Sequence, residues 1–181
     1  MKPYAGFTLI ELLVVIMIVS ILMGVGVPSY RYVTNSNRLS AEVNGLLGDM
    51  QLARSEAMKQ GVSVTVCASK DQVSCSQSSD WSSGWIVFTD PGDVGVRDAD
   101  EPILRTQKAL HPGDKLFDTA GTLASATFNR AGFLSFTGVP VDGVTLTLHD
   151  DRADADHTRC LWIASQGLMT TQTPATDAGC K

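Results

Sequence analysis

The chain has 181 residues, of which 44% are hydrophobic and 18% charged, with a formal net charge of −5 and a pI of about 5.0. Beyond an apolar N-terminal segment, the remaining length is sufficient for one soluble domain of ordinary size. The acidic balance excludes a broad electrostatic attraction to nucleic acid.

The first predicted element is an apolar helix over residues 7–29. The run from Phe7 to Val27 has 21 residues and one charge, on Glu11. At about 1.5 Å per residue it makes a helix of roughly 31 Å, enough to cross the roughly 30 Å hydrocarbon core of a bilayer. A secretory signal would be shorter and would carry its small-residue cleavage site after the apolar run, whereas Gly6 precedes this one. We therefore expect a membrane anchor that remains after removal of a short leader, residues 1–6.

Glu11 requires a partner, because an unpaired charge at mid-membrane costs about 2.5 to 3.5 kcal/mol. A cut after Gly6 would create a positive amine on Phe7, one helical turn away. Glu11 could pair with that amine in a neighbouring copy of the chain. The alternative is a carboxylate near the helix end that reaches the lipid headgroups or is protonated, and the residues alone leave both open.

The segment Gly6-Phe7-Thr8-Leu9-Ile10-Glu11, followed by a long apolar helix, resembles the class III signal of type IV pilins and type II secretion pseudopilins. The resemblance implies cleavage between Gly6 and Phe7 by a prepilin peptidase, followed by N-methylation of Phe7. It also implies assembly into a helical filament in which Glu11 contacts the N-terminus of an adjacent subunit. Pro28 falls where this family commonly has a helix-distorting proline.

Residues 30–61 are predicted to continue the helix as an amphipathic second half. Apolar residues recur there at spacings of three and four, which indicates one buried helix face. This apolar stripe consists of Leu39, Val43, Leu46, Met50, Ala53 and Ala57. Pro28 removes one helical hydrogen bond, and glycines precede it, so we expect a kink or a locally melted turn near residues 24–30. Gly61 should end the helix after Gln60.

From residue 62 to residue 181 the pattern changes to short β-rich runs separated by turn residues, which predicts a β-rich head. The predicted strands are Ser63 to Ala68, Trp85 to Thr89, Ile103 to Gln107, Ala126 to Asn129, Phe133 to Phe136, Val144 to Leu148 and Cys160 to Ala164, with another possible at Leu168 to Thr171. Packing of these strands on the apolar stripe gives an α+β fold. Trp81, Trp85 and Trp162 are expected in the core or on strand faces.

Several further segments together resemble the GspH/FimT family, which holds the H-type minor pseudopilin of type II secretion and minor type IV pilins. They are Asn37-Arg38-Leu39, Gln51-Leu52-Ala53-Arg54-Ser55-Glu56-Ala57, Val64-Thr65-Val66-Cys67, Gly84-Trp85-Ile86-Val87-Phe88-Thr89-Asp90 and Phe128-Asn129-Arg130-Ala131-Gly132. The resemblance spans residues 6 to about 136. It implies a type IV pilin-like fold, with the long helix packed on the head.

Four cysteines allow three disulfide pairings. We expect the local one, in which Cys67 pairs with Cys75 and Cys160 pairs with Cys180. The alternatives are reduced thiols, which the anchor disfavours because it points to an oxidising periplasm, and a zinc site, for which no CxxC pair is present.

Two acidic stretches, residues 90–100 and 150–157, invite a metal or hydrolytic interpretation. His149 and His157 flank the aspartates of the second stretch, but no nucleophile motif or known metal spacing accompanies them. The first offers Asp90, Asp93, Asp98, Asp100 and Glu101 to calcium, without the order of an EF-hand. We expect solvated loops in both places, with calcium at the first as the alternative.

Some FimT-like pilins bind DNA through a C-terminal motif of glycine, arginine, any residue and arginine. Alignment on Gly167 places Leu168 and Thr170 at the two arginine positions, so the cationic groups needed for phosphate contact are missing. A small patch of Arg152, Arg159 and Lys181 is the remaining candidate for DNA. We expect DNA binding to be disfavoured.

The sequence therefore predicts a minor, non-enzymatic pilin without a cofactor, which helps to initiate assembly of a type IV pilus. It would be a single-pass inner-membrane protein with its head in the periplasm. Its implied partners are other minor and major pilins, the prepilin peptidase and the assembly platform of the pilus or secretion system. The alternatives are an H-type pseudopilin of type II secretion and a DNA-binding competence pilin.

Overall fold

The computed structural model describes residues 6–92, 95–118, 120–135, 143–176 and 179–180. Within these ranges a long helix is followed by short strands and one turn of 3-10 helix. The elements are α1 (Leu9–Gln60), β1 (Val64–Ala68), β2 (Trp85–Thr89), β3 (Ile103–Gln107), β4 (Lys115–Asp118), β5 (Ser125–Phe128), β6 (Leu134–Ser135), β7 (Val144–His149), the 3-10 helix (Ala155–His157), β8 (Thr158–Ile163) and β9 (Met169–Gln172). The predicted α+β class is confirmed.

The chain divides into two compact units, Met1–Asn37 and Arg38–Lys181. In the described part of the first unit, the chain is helical from Leu9 onward, and Pro28 lies inside the helix. The locally melted turn predicted near residues 24–30 is therefore wrong. Proline removes a single backbone donor, and the turns on either side of it keep helical geometry. The segment limits 1–6, 7–29, 30–61 and 62–181 stay predictions.

The second unit contains two antiparallel sheets. The first has the strand order β3-β2-β1-β5-β6, and the second has the order β4-β7-β8-β9. Between them, the amide of Leu134 donates to the carbonyl of Ser165 at 2.9 Å, and the amide of Trp81 donates to the carbonyl of Leu116 at 2.8 Å. The first bond joins β6 to the β8–β9 turn, and the second joins the connection between β1 and β2 to β4.

The core of this unit is built on the apolar stripe of α1. All six stripe residues are buried, and they share one cluster with inward side chains of both sheets. Trp81 and Trp85 are buried in this cluster, as predicted, while Trp162 is half-buried on β8. The amide of Gly61 donates to the carbonyl of Ala57 at 3.0 Å, and its φ of +72° ends the helix, which confirms the predicted stop.

The predicted strands match the observed ones to within about two residues, except that β4 is missing from the prediction. The sequence of β4, KLFD, is four residues long and has a charge at each end, so it gives almost no alternating pattern. Phe136, at the end of one predicted strand, lies outside the described residues.

The expectation of two solvated acidic loops is wrong for four side chains. Those of Asp90, Glu101, Asp150 and His157 are buried. Asp90 Oδ2 accepts hydrogen bonds from the amide of Gly95 at 2.8 Å and from the hydroxyl of Thr65 on β1. Asp154 caps the 3-10 helix, because its Oδ1 accepts from the amide of His157 at 2.9 Å. Such partners make burial of these polar groups possible.

Candidate functional site

The predicted cleavage position lies just before α1. Gly6 and Phe7 are exposed and precede the first helical residue, Leu9, and Phe7 is 81% exposed. The hydroxyl of Thr8 accepts a hydrogen bond from the amide of Glu11 at 3.3 Å, which caps the helix. The Gly6–Phe7 peptide bond is thus exposed and outside the helix.

Glu11 lies in the first turn of α1 and is exposed. A carboxylate is favoured at this end of a helix, because the free amides of the first turn give it a partial positive charge. Its position places it one turn from Phe7, whose amine would carry a positive charge after cleavage. The structure therefore brings the three N-terminal candidates, Gly6, Phe7 and Glu11, into one short segment.

The first half of α1 presents apolar side chains on all sides. One 18-residue window has a mean hydropathy of 2.7 and no buried residue, and by length and composition this helix can cross a membrane. Two hydroxyl groups bond within the helix: that of Ser20 donates to the backbone carbonyl of Ile16 at 2.7 Å, and that of Thr34 donates to the backbone carbonyl of Tyr30 at 2.8 Å. Such a surface requires lipid or other apolar helices around it.

Pro28, the other candidate for assembly, is exposed on the same helix. Neither Gly24 nor Gly26 has a neighbour within 4 Å of the position a Cβ would take. Small residues of this kind let a second helix approach closely.

The four cysteines form two disulfides, Cys67–Cys75 and Cys160–Cys180. The first closes a polar loop after β1. The second attaches the C-terminal tail to β8. Among the described residues there is no free cysteine and no group of three or more His, Cys, Asp or Glu residues that could hold a metal ion.

The DNA candidates are not arranged as a free cationic patch. Arg159 is half-buried and donates to the carbonyls of Asp156 at 3.0 Å and Thr158 at 2.8 Å. Arg152 is exposed, on a loop beside the buried Asp150. Lys181 lies outside the described residues. The guanidinium of Arg159 is therefore already used in holding the chain's own backbone.

Arg54 connects two of the family-like segments. Its Nε donates to the carbonyl of Gly132 at 3.0 Å and its Nη2 donates to the carbonyl of Gln166 at 3.3 Å. Gly132 lies in the β5–β6 turn and Gln166 in the β8–β9 turn, so one side chain of α1 holds a turn from each sheet.

Sequence reasoning missed two acidic residues of α1, Glu42 and Asp49. Asp49 is 5% exposed, and its Oδ1 pairs with Arg105 at 3.0 Å. Burial, and then the neighbouring Asp114, raises the pKa of Glu42 to about 7. Each lies three residues after a stripe leucine, Leu39 or Leu46, and therefore beside the buried face, but this spacing alone does not distinguish a buried carboxylate from a solvated one.

Comparisons with known proteins agree with this geometry. The family model for type II transport protein GspH matches residues 42–167, and that for the prokaryotic N-terminal methylation motif matches residues 1–27. No curated protein sequence matches the chain.

Solved structures show the same fold at low sequence identity. The type IV minor pilin FimU of Pseudomonas aeruginosa superposes with a TM-score of 0.54 at 20% identity, over 82% of this chain and 92% of that one. The minor pseudopilin EpsH of the Vibrio cholerae type 2 secretion system superposes with a TM-score of 0.53 at 14% identity, over 76% of this chain and 98% of that one. Since the GspH model matches residues 42–167, more than half of this chain, the chain belongs to the GspH family.

Proposed function

We propose that the chain is a structural subunit of a type IV pilus, a minor pilin that acts near the tip and helps to initiate assembly. The observation that carries this proposal is the exposed apolar helix with Glu11 in its first turn, directly after Gly6 and Phe7. A single apolar helix of this kind is stable in lipid, but its carboxylate is stabilised further when it pairs with a positively charged group.

The proposed sequence of events begins in the inner membrane. A prepilin peptidase cleaves between Gly6 and Phe7, and the new amine of Phe7 is methylated. In the filament, Glu11 pairs with the Phe7 amine of an adjacent subunit. Pairing removes an uncompensated charge from the apolar environment, so it favours association and sets the register of the helices.

The head is proposed to lie in the periplasm. Two disulfides in a unit of this size favour an oxidising compartment. The proposed partners are other minor pilins, the major pilin and the assembly platform. The role needs no cofactor and no catalytic group, and the family and the similar structures are those of structural pilins.

The second candidate is the H-type pseudopilin of a type II secretion system. The description of the matching family, type II transport protein GspH, favours it. Both roles use the same anchor, the same processing and the same pair of charges. DNA binding is the weaker alternative, because Arg159 is engaged with backbone carbonyls.

Processing and assembly can be tested separately with variants of the full-length chain. Gly6→Leu should keep the leader, which mass spectrometry of the membrane fraction detects. Glu11→Ala should be processed and inserted normally but should be depleted from sheared filaments, with Ser20→Ala as a helix control that assembles normally. Cleavage of the Gly6 variant would refute the processing step, and normal incorporation of Glu11→Ala would refute the charge pair.

Deletion of the gene distinguishes the two machines. Loss of surface pili with intact protein secretion supports the type IV pilus. Loss of secretion with intact pili supports the pseudopilin role. Complementation by the wild-type chain, but not by Gly6→Leu, ties either phenotype to the processed subunit.

A further inference from the structure

Two carboxyl groups and one guanidinium form a cluster at the start of the part of α1 that belongs to the second compact unit. Arg38 donates to both oxygens of Asp114, from Nε at 2.9 Å and from Nη2 at 2.8 Å, and Asp114 is 4% exposed. Glu42 lies one helical turn after Arg38. Its Oε1 accepts a hydrogen bond from the amide of His111 at 3.3 Å. The cluster thus joins α1 to the connection between β3 and β4, residues 108–114.

The charges of this cluster do not balance if both carboxyl groups are ionised. The bidentate bond to Arg38 satisfies Asp114. Glu42 Oε2 is buried and accepts no hydrogen bond from a donor among the described residues, and the carboxyl group of Glu42 lies within hydrogen-bonding reach of that of Asp114. A buried carboxylate oxygen without a donor is costly, whereas a protonated carboxyl group beside an ionised one can donate to it.

We propose that Glu42 holds a proton, which it shares in a hydrogen bond to Asp114, and that this hydrogen bond closes a latch between α1 and residues 108–114, which opens as the pH rises through neutrality. The latch consists of Arg38, Glu42 and Asp114. It goes beyond the proposed function and does not depend on it, because it concerns the second compact unit alone.

The direction of the pH dependence follows from the shared proton. Burial and the adjacent Asp114 raise the pKa of Glu42 from 4.5 to about 7. The folded chain therefore binds this proton more tightly than the unfolded chain. Its stabilisation is complete below the ordinary pKa of a glutamate and is lost as the pH rises through about 7. Between pH 6 and pH 8 the protonated fraction of Glu42 falls about tenfold.

Among the described residues, the charged groups that act on Glu42 are Asp114 and Arg38. Arg38 on the same helix remains positive throughout this range. The imidazole of His111 is the neighbouring group that ordinarily titrates near neutrality, so it needs its own control. A cavity of about 220 Å³ lies beside Glu42 and is lined also by Trp85 and Leu110.

The test measures amide hydrogen exchange of residues 108–114 in the full-length chain in detergent micelles, between pH 5.5 and 8.5, relative to the intrinsic exchange rate. In the wild-type chain, protection of this segment should fall about tenfold from pH 6 to pH 8. In Glu42→Gln the side-chain amide is a neutral donor toward Asp114, so the amides of residues 108–114 should stay protected from exchange across this pH range. Glu56→Gln, a change near the end of the same helix, should respond like the wild type.

Two further variants separate the latch from other causes. His111→Gln should keep the full response, since the hydrogen bond to Glu42 comes from the backbone amide of this residue. Asp114→Asn removes the ionised acceptor and should move the response to lower pH, even if overall stability falls, because burial still raises the pKa of Glu42. A flat wild-type profile, a response that survives in Glu42→Gln, or one that disappears in His111→Gln would overturn the proposal.

Discussion

The indole Nε1 of Trp85 donates a hydrogen bond of 2.9 Å to Oδ2 of Asp49, at a place where both side chains are buried. The other oxygen of Asp49 pairs with Nε of Arg105 at 3.0 Å. A carboxylate of α1 therefore satisfies a large aromatic side chain of β2 and a cation of β3 at once. Helix and sheet are joined here by polar bonds inside an otherwise apolar interface.

Asp49→Ala should destabilise the chain by about 1–3 kcal/mol, because it leaves the buried indole N–H of Trp85 without an acceptor. Asp49→Asn keeps an acceptor oxygen and should cost less. Arg105→Ala removes an ion pair in which the arginine side chain is 61% exposed. It should lower the free energy of unfolding by at most about 1 kcal/mol. Urea unfolding followed by tryptophan fluorescence compares the three. An Arg105→Ala variant as unstable as Asp49→Ala would contradict this order.

The buried face of α1 could be predicted from the sequence because helical spacing depends on local order alone. Leu39, Leu46 and Ala57 lie where the periodicity places them. The burial of Asp49 could not be predicted, since it depends on Trp85 and Arg105, which follow much later in the chain and reach the helix only through the fold. In sequence an acidic residue beside an apolar stripe is most simply interpreted as solvated.

Contacts between distant parts of the chain also explain why the burial in the acidic loops and the role of Arg54 could not be predicted from the sequence. Asp90 was predicted to be solvated, but it is buried because Gly95 and Thr65 donate to it. The N-terminal candidates Gly6, Phe7 and Glu11 can be predicted from the sequence more easily, because the motif and the apolar run are contiguous. Arg54 belongs to a recognisable segment, but its function depends on two turns that the topology brings together.

A glycine in one of those turns gives the second prediction. Gly167 has a φ of +77°, and a Cβ there would lie 2.2 Å from the carbonyl oxygen of Gly132. Gly121 has a similar φ of +70° with nothing within 4 Å. Gly121→Ala should therefore cost about 1–2 kcal/mol, from backbone conformation alone. Gly167→Ala should cost more, since the β5–β6 and β8–β9 turns must also separate. Thermal unfolding midpoints of the two variants measure the difference, and equal midpoints would show that the turns do not need this close contact.

The two disulfides should contribute unequally. In the chain-entropy model, closing a loop of 20 residues stabilises by about 3.3 kcal/mol, and closing a loop of 8 residues by about 2.5 kcal/mol. The double variant Cys160→Ala with Cys180→Ala should therefore unfold at a lower urea concentration than Cys67→Ala with Cys75→Ala. Thiol titration of the unfolded, unreduced wild-type chain provides the control and should find no free thiol. Four free thiols would contradict both the pairing and the oxidising compartment.

The loop closed by Cys67 and Cys75 should loosen in acid. The carboxylate of Asp71 accepts hydrogen bonds from the amide of Ser74 at 2.8 Å, from its hydroxyl at 2.7 Å, and from the amide of Val73 at 2.9 Å. These bonds to the ionised form, with those from Ser74 the strongest, hold the pKa of Asp71 well below its usual value.

Because the pKa of Asp71 is lowered on folding, its contribution is present above the usual pKa of an aspartate, about 3.9, and is lost as the pH falls. Amide exchange at Val73 and Ser74, relative to intrinsic rates, should therefore accelerate between pH 5 and pH 2.5. Asp71→Asn should show weaker protection that is nearly independent of pH, whereas Asp151→Asn, in another exposed loop, should keep the wild-type response. Since the disulfide still closes the loop, the change should be confined to it. Simultaneous loss of protection in β1 would instead indicate global acid unfolding and would remove Asp71 as the cause.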